Sequence, residues 1–197
     1  FGVQQDYLKA IKYYELSFRF GYFRALNSIG NLYYNGFGVK RDFSKAKELF
    51  ELASKQNDPD SFFNLGNLYY NGYGVKQDYK KAKEYYELSA KQNNSSALYM
   101  LGDLYYNGFG VNQDFKKAKE YFELSAKLGD SNAYHMLGEF YFNGYEVQRD
   151  YTIAKEYYEL SSQMNNSDAI NKLGYLYENG LGVKQDYLKA KECYELA

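Results

Sequence analysis

The sequence predicts an all-α protein: a right-handed α/α superhelical solenoid of about five helix-turn-helix repeats of 36 residues. Three observations predict it. An Asp with an Ala four residues on returns at a constant step, as Asp6/Ala10, Asp42/Ala46, Asp78/Ala82, Asp114/Ala118, Asp150/Ala154 and Asp186/Ala190. Glycines keep the same step, with Gly30, Gly66, Gly102, Gly138 and Gly174 each followed six residues later by Gly36, Gly72, Gly108, Gly144 and Gly180. No insertion or deletion breaks the register. A fixed period of this length marks one supersecondary unit stacked on copies of itself. Each copy exposes an apolar face that only its neighbours cover, so residues 1–197 read as a single array. Its parts are a partial repeat 1–22, repeats 23–58, 59–94, 95–130 and 131–166, and a partial repeat 167–197.

The unit from Asn57 to Asn93 shows why each element forms. Asp58 precedes Pro59, and proline suits the first helical position because its missing N–H is not needed there. Asp58 therefore reads as the N-cap of a first helix over about 59–70, with Asn94, Asp130 and Asn166 in the same role. Leu65, Gly66, Leu68 and Tyr69 share one side of that helix. Gly66 costs about 1 kcal/mol against Ala in a helix interior, so its return in every copy implies a close helix approach. The helix ends at Asn71-Gly72, where glycine accepts the left-handed conformation. The linker carries one apolar anchor, Val75, equivalent to Val3, Val39, Val111, Val147 and Val183.

Asp78 caps a second helix over about 78–91, whose Ala82, Tyr85, Tyr86 and Ser89 recur at helical spacing and should face the first helix. Glu87/Lys91, Glu51/Lys55 and Glu123/Lys127 are expected as i,i+4 pairs on the solvated side. Asn93 closes the unit, with Gly21, Gly129 and Asn165 equivalent, and these positions suit a left-handed turn. Six second helices and five first helices are expected. Both ends of the array should expose apolar surface, which reads as a piece of a longer array or as ends that pair with something.

The joint pattern Leu65-Gly66-x-Leu68-Tyr69-x-x-Gly72-x-Gly74-Val75-x-x-Asp78-x-x-Lys81-Ala82-x-x-Tyr85-Tyr86 resembles the Sel-one-like repeat, a relative of the tetratricopeptide repeat with a longer internal loop. The resemblance covers essentially the whole chain. Two departures stand out: Glu146 replaces the second loop glycine, and Leu52, Leu88, Leu124 and Leu160 stand where the family often has a basic residue. The resemblance implies a non-enzymatic scaffold or adaptor that assembles protein complexes, with no cofactor.

In the related tetratricopeptide arrays first helices line the concave face, which makes the outer stripe of these helices the candidate site. Its members are Asn27, Asn31 and Tyr34; Phe63, Asn67 and Tyr70; Tyr99, Asp103 and Tyr106; His135, Glu139 and Phe142; and Asn171, Tyr175 and Glu178. Aromatic anchors interleaved with hydrogen-bonding groups suit an extended peptide. Asp103, Glu139 and Glu178 have no cation facing them within the stripe, so a protein or peptide with Lys or Arg is the expected partner. The competing reading is that these aromatics fill the gap between adjacent first helices.

Other function classes are weaker. The only histidine, His135, stands where other copies have Phe63 or Tyr99, and the only cysteine, Cys193, replaces Tyr85, Tyr121 or Tyr157 on an inward face. Neither has the base or nucleophile mate that catalysis needs. Gly72-x-Gly74 follows a helix and lacks the Lys-Ser/Thr of a phosphate loop. A formal net charge of −1 argues against the cationic channel of an RNA-reading repeat array, so no nucleic acid is expected. No apolar run approaches the ~20 residues of a membrane span. The richness in tyrosine, 26 residues with no tryptophan, reads first as codon bias. The remaining alternative is a structural solenoid that self-associates end to end. A lone cysteine favours a cytoplasmic location. Sequons at Asn93, Asn94 and Asn165 leave the endoplasmic reticulum lumen or secretion open.

Overall fold

The computed structural model describes residues 6–197, and among them every element of regular structure is an α-helix. The chain partitions into two compact units, residues 1–97 and 98–197. Val3, the first expected loop anchor, lies outside the described residues.

In the first unit the helices are α1 (Tyr7–Arg19), α2 (Arg24–Asn35), α3 (Phe43–Ser54), α4 (Pro59–Asn71) and α5 (Tyr79–Ala90), each packed on the next. α6 (Ser95–Asn107) begins at the close of this unit. The second unit holds the rest of α6 with α7 (Phe115–Lys127), α8 (Ser131–Asn143), α9 (Tyr151–Ser162), α10 (Ser167–Asn179) and α11 (Tyr187–Leu196). From α7 onward these again pack in chain order. The odd-numbered members are the expected second helices and the even-numbered ones the first helices, so the protein is an all-α repeat solenoid.

The caps explain the boundaries. Asp42, Asp78 and Asp114 each accept a hydrogen bond from the backbone N–H three residues on, at 2.9, 3.0 and 2.9 Å. Asp58 accepts from Ser61 N and Asn94 from Ala97 N in the same way at the starts of α4 and α6. Gly72 ends α4 at φ 73°, and its N–H donates to Leu68 O. The asparagine before each such glycine turns its amide back onto the helix: Asn35, Asn71, Asn107, Asn143 and Asn179 donate to the carbonyl four residues earlier. Asn57, Asn93 and Asn165 take positive φ in the turns between repeats. Glu146 does too, at 53°, so the substituted loop position keeps the glycine-type conformation and accepts its strain.

The linker is closed by one repeated bond. Asp78 N donates to Tyr69 O at 2.9 Å, and Asp42, Asp114, Asp150 and Asp186 repeat this to Tyr33, Tyr105, Tyr141 and Tyr177. Gln77, Gln113 and Gln185 add a side-chain bond to the carbonyls of Tyr70, Tyr106 and Glu178.

Packing within a repeat turns on Gly66. A Cβ there would stand 2.5 Å from Tyr86 Cε1, so the ring of α5 occupies the space a side chain on α4 would take. Gly30, Gly102, Gly138 and Gly174 accommodate Phe50, Phe122, Tyr158 and Tyr194 alike. The core forms between second and first helices of successive repeats: Ala46 and Phe50 of α3 with Leu65 and Leu68 of α4, and Ala118, Phe122 and Ala126 of α7 with Ala133, Leu137 and Phe140 of α8. Ser89 and Ser161 are buried and donate to Pro59 O and Ser131 O, both at 2.7 Å, which ties each second helix to the start of its own first helix.

The outer ion pairs differ from expectation. Glu51, Glu87 and Glu123 pair with Lys47, Lys83 and Lys119, four residues earlier, and not with Lys55, Lys91 and Lys127. Lys55 and Lys91 are the C-cap residues of α3 and α5 and Lys127 ends α7, so the helical spacing gives out there, whereas the earlier lysines lie in the helix body.

Candidate functional site

The even-numbered helices carry the predicted stripe. In the first four copies its members are half-buried, apart from the buried Asn27, while Asn171, Tyr175 and Glu178 on α10 are exposed. The stripe contains two kinds of position with different work.

The outer aromatics fill the space against the linker. Tyr34 meets Phe43 edge-on at 5.4 Å and the next loop's Tyr73 at 6.1 Å. Tyr70 meets Tyr79 at 5.3 Å. Tyr106 meets Phe115, Phe140 and Tyr145 at 5.4, 5.9 and 6.0 Å, and Phe142 meets Tyr151 and Tyr175 at 5.3 and 5.9 Å. These rings thus help join consecutive repeats while leaving an edge to solvent. Burial, with Tyr145 beside it, pushes the Tyr106 hydroxyl up to about 12.

The middle positions, Tyr175 excepted, form a polar row supported from below. Because Gly66 and Gly138 leave room, the hydroxyls of Tyr86 and Tyr158 pass beneath the first helix, where Tyr86 donates to Asn67 Oδ1 at 2.8 Å and Tyr158 to Glu139 Oε1 at 2.5 Å. Tyr194 reaches Glu178 instead, at 2.8 Å, because its repeat has Tyr175 in the middle place. Phe50 and Phe122 have no hydroxyl. There Asn31 accepts from Asn64 at 3.1 Å, and Asp103 from Asn107 at 2.8 Å.

Sequence reasoning missed the residue one place beyond the inner stripe position of the following repeat. Asn64 bridges Asn27 and Asn31 at 2.9 and 3.1 Å. Its equivalent Lys172 reaches Glu139 Oε1 at 2.8 Å and lies over the Phe142 ring at 5.1 Å. Glu139 thus has a cation from outside the stripe, which comes sideways from α10, a direction that a single-repeat reading does not include. Changes between Asn, Met and Lys at 64, 100, 136 and 172 were the available signal.

The Tyr99 hydroxyl is pushed up to about 12, first by burial and then by Asp103, Asp130 and Asp168. His135 is 17% exposed, its ring tilted on Tyr158 at 5.8 Å and its Nε2 3.9 Å from Glu139 Oε1 without a hydrogen-bond partner. Burial holds the imidazole below its ordinary value, with Lys172 pushing the same way and the Glu139 and Asp168 charges opposing. Burial pulls Glu139 up, but the hydrogen bonds from Lys172 and Tyr158 and the charges of Lys172 and His135 outweigh it and hold the carboxyl below its usual range.

Cys193 packs half-buried against the cluster around Leu173 and Leu176, and burial raises its thiol, which leaves it a packing residue without thiolate character. Among the described residues no group of three or more His, Cys, Asp or Glu side chains is placed to hold a metal ion, and no helix is long and apolar enough to cross a membrane.

Helical hairpins joined by a closed linker, with side chains meshing from one copy to the next, define an α/α repeat solenoid. The Sel1 repeat profile matches residues 1–19, 24–58, 59–94, 95–130, 131–166 and 167–197, and the chain belongs to the Sel1 repeat family. A Sel1 repeat protein from Oxalobacter formigenes is 33% identical with a TM-score of 0.91, over 99% of this chain and 80% of that one. The protective antigen c5321 of uropathogenic Escherichia coli, which displays the same repeat fold, is 29% identical with a TM-score of 0.83; this chain covers 98% of itself and 42% of that protein, less than half its length. Immunity protein Pa5087 from Pseudomonas aeruginosa, at 23% identity and a TM-score of 0.67 over 94% of this chain and 71% of that one, shares the fold. No match was found among curated proteins. Sel1 repeats are protein–protein interaction modules, and proteins built from them are generally non-catalytic scaffolds.

Proposed function

We propose that this chain is a non-catalytic scaffold that binds a protein or peptide carrying basic residues along the outer row of its first helices, the face a solenoid of this kind turns inward. The observation that carries the reading is the carboxylate set about Tyr99: after burial itself, the charges of Asp103, Asp130 and Asp168 hold its hydroxyl up, while Lys172 is engaged by Glu139. A cationic side chain entering beside Tyr99 gains both the ring face and the carboxylates. Half-buried aromatics already held by their neighbours lose little freedom on binding, which favours affinity. Membership of a family of interaction modules supports the class of function.

The test is titration of fluorescent Arg- or Lys-rich peptides against the chain, with Asp168→Asn and Glu178→Gln variants and an acidic peptide as control. Weaker binding of the basic peptide by both variants, falling with added salt, supports the row. Equal affinity for acidic and basic peptides overturns the charge preference. Sedimentation over a range of concentrations separates this reading from end-to-end self-association, and tight salt-sensitive uptake of RNA would reverse the exclusion of nucleic acid.

A further inference from the structure

We propose that His135 is an acid-operated release for Lys172, by which the α8–α10 part of the row loosens its hold on a basic partner as pH falls. The inference rests on the binding row proposed above for its consequence, but its first step concerns this chain alone.

Three geometric facts carry it. His135 Nε2 is buried, lacks a hydrogen-bond partner and lies 3.9 Å from Glu139 Oε1. The same oxygen already holds Lys172 Nζ at 2.8 Å and the Tyr158 hydroxyl. Glu139 is 16% exposed, so water does little to dilute the competition for it. The groups facing the imidazole from each packed element are Glu139 on α8 itself, Tyr158 from α9, and Asp168 and Lys172 from α10. With the ring neutral, Glu139 is balanced by Lys172. A proton on His135 places two cations against one carboxylate. The imidazole sits on a short stem, 17% exposed and packed beside the Tyr158 ring, whereas Lys172 has a long flexible stem and is 36% exposed, so the ammonium is the member that leaves. Its seat over Phe142 empties with it. The local charge rises by one proton and a mobile ammonium projects into the row, and both effects repel a basic partner. His135 is the chain's only histidine, so no second imidazole blurs the response.

The experiment is an NMR titration of the intact chain from pH 8 to 5, following the His135 ring and the Lys172 side-chain resonances. The expected result is a His135 midpoint below its ordinary value, with the Lys172 signals moving on the same curve. Lys172→Met raises the midpoint and Glu139→Gln lowers it further. A Lys172 signal that ignores the His135 titration, or a midpoint unmoved by both substitutions, overturns the proposal. His135→Phe is a conservative control, because Phe63 occupies the same position in another repeat. In a parallel binding series with an octa-arginine peptide, wild type should lose about fivefold more affinity than His135→Phe between pH 7.5 and 5.5, the scale of one partly screened charge. Equal losses would overturn the regulatory consequence. If octa-arginine binds neither protein at any pH, the binding row fails while the Lys172 response still stands or falls on the NMR.

Discussion

Tyr86 lies with its ring edge in the place where Gly66 would carry a Cβ, and its hydroxyl emerges on the far side to meet Asn67. One glycine thereby admits a fully buried ring and a polar link to the opposite face of α4. Gly66→Leu should cost at least about 1–3 kcal/mol, the scale of overpacking, read as a shift of the urea midpoint at unchanged slope. Gly66→Ala must weigh about 1 kcal/mol of regained helix propensity against a contact at 2.5 Å, and it should still come out destabilised.

Removing the hydroxyls separates packing from hydrogen bonding. Tyr86→Phe should cost about 1 kcal/mol, since Phe50 and Phe122 already fill the same place in other repeats. Tyr158→Phe should cost more, about 1.5–3 kcal/mol, because the bond it deletes goes to a carboxylate. Equal losses in the two variants would show that the charge on Glu139 adds nothing.

Acidification should weaken the fold in two steps. The folded imidazole of His135 holds its proton less firmly than the unfolded one, so its contribution is complete above the unfolded value near 6.5 and declines as pH falls from there through the lower folded value. Glu139 acts in the same direction further down: its contribution is present above about 4.5 and is lost as pH falls through its depressed folded value. Melting curves between pH 8 and 5 should show the first step in wild type and lack it in His135→Phe.

The stripe's aromatics should not respond alike. Tyr106 touches three rings, so Tyr106→Ala should cost about 2 kcal/mol of stability. Tyr175 is 44% exposed, and Tyr175→Ala should cost well under that, which makes it the cleaner probe of binding. Calorimetry of the two variants decides the order.

The sequence made legible whatever repeats within one hairpin. The Asp78 cap, the left-handed Gly72 and the close approach at Gly66 follow from local chemistry that each copy restates. Two features escaped for definite reasons. Glu87 stands between Lys83 and Lys91, and only knowledge of where α5 ends chooses between them. The partners of Glu139 and Asn31 come from the next repeat at a one-residue offset, which depends on how neighbouring first helices mesh side by side. Reading one unit at a time gives the walls of the row but omits the side chains that interlock them.

The five Asn-Gly pairs that close the first helices bear on how this protein ages. Such dipeptides are ordinarily the quickest sites of deamidation, in which the glycine nitrogen attacks the asparagine side-chain carbonyl to form a succinimide. Here Asn35, Asn71, Asn107, Asn143 and Asn179 turn their amides back onto the helix, and the Gly36, Gly72, Gly144 and Gly180 nitrogens donate to helix carbonyls. The attack geometry requires those bonds to break first. Chemical lifetime at these sites is consequently tied to how often each helix end frays, and the turnover of isoaspartate along the chain becomes a record of local opening.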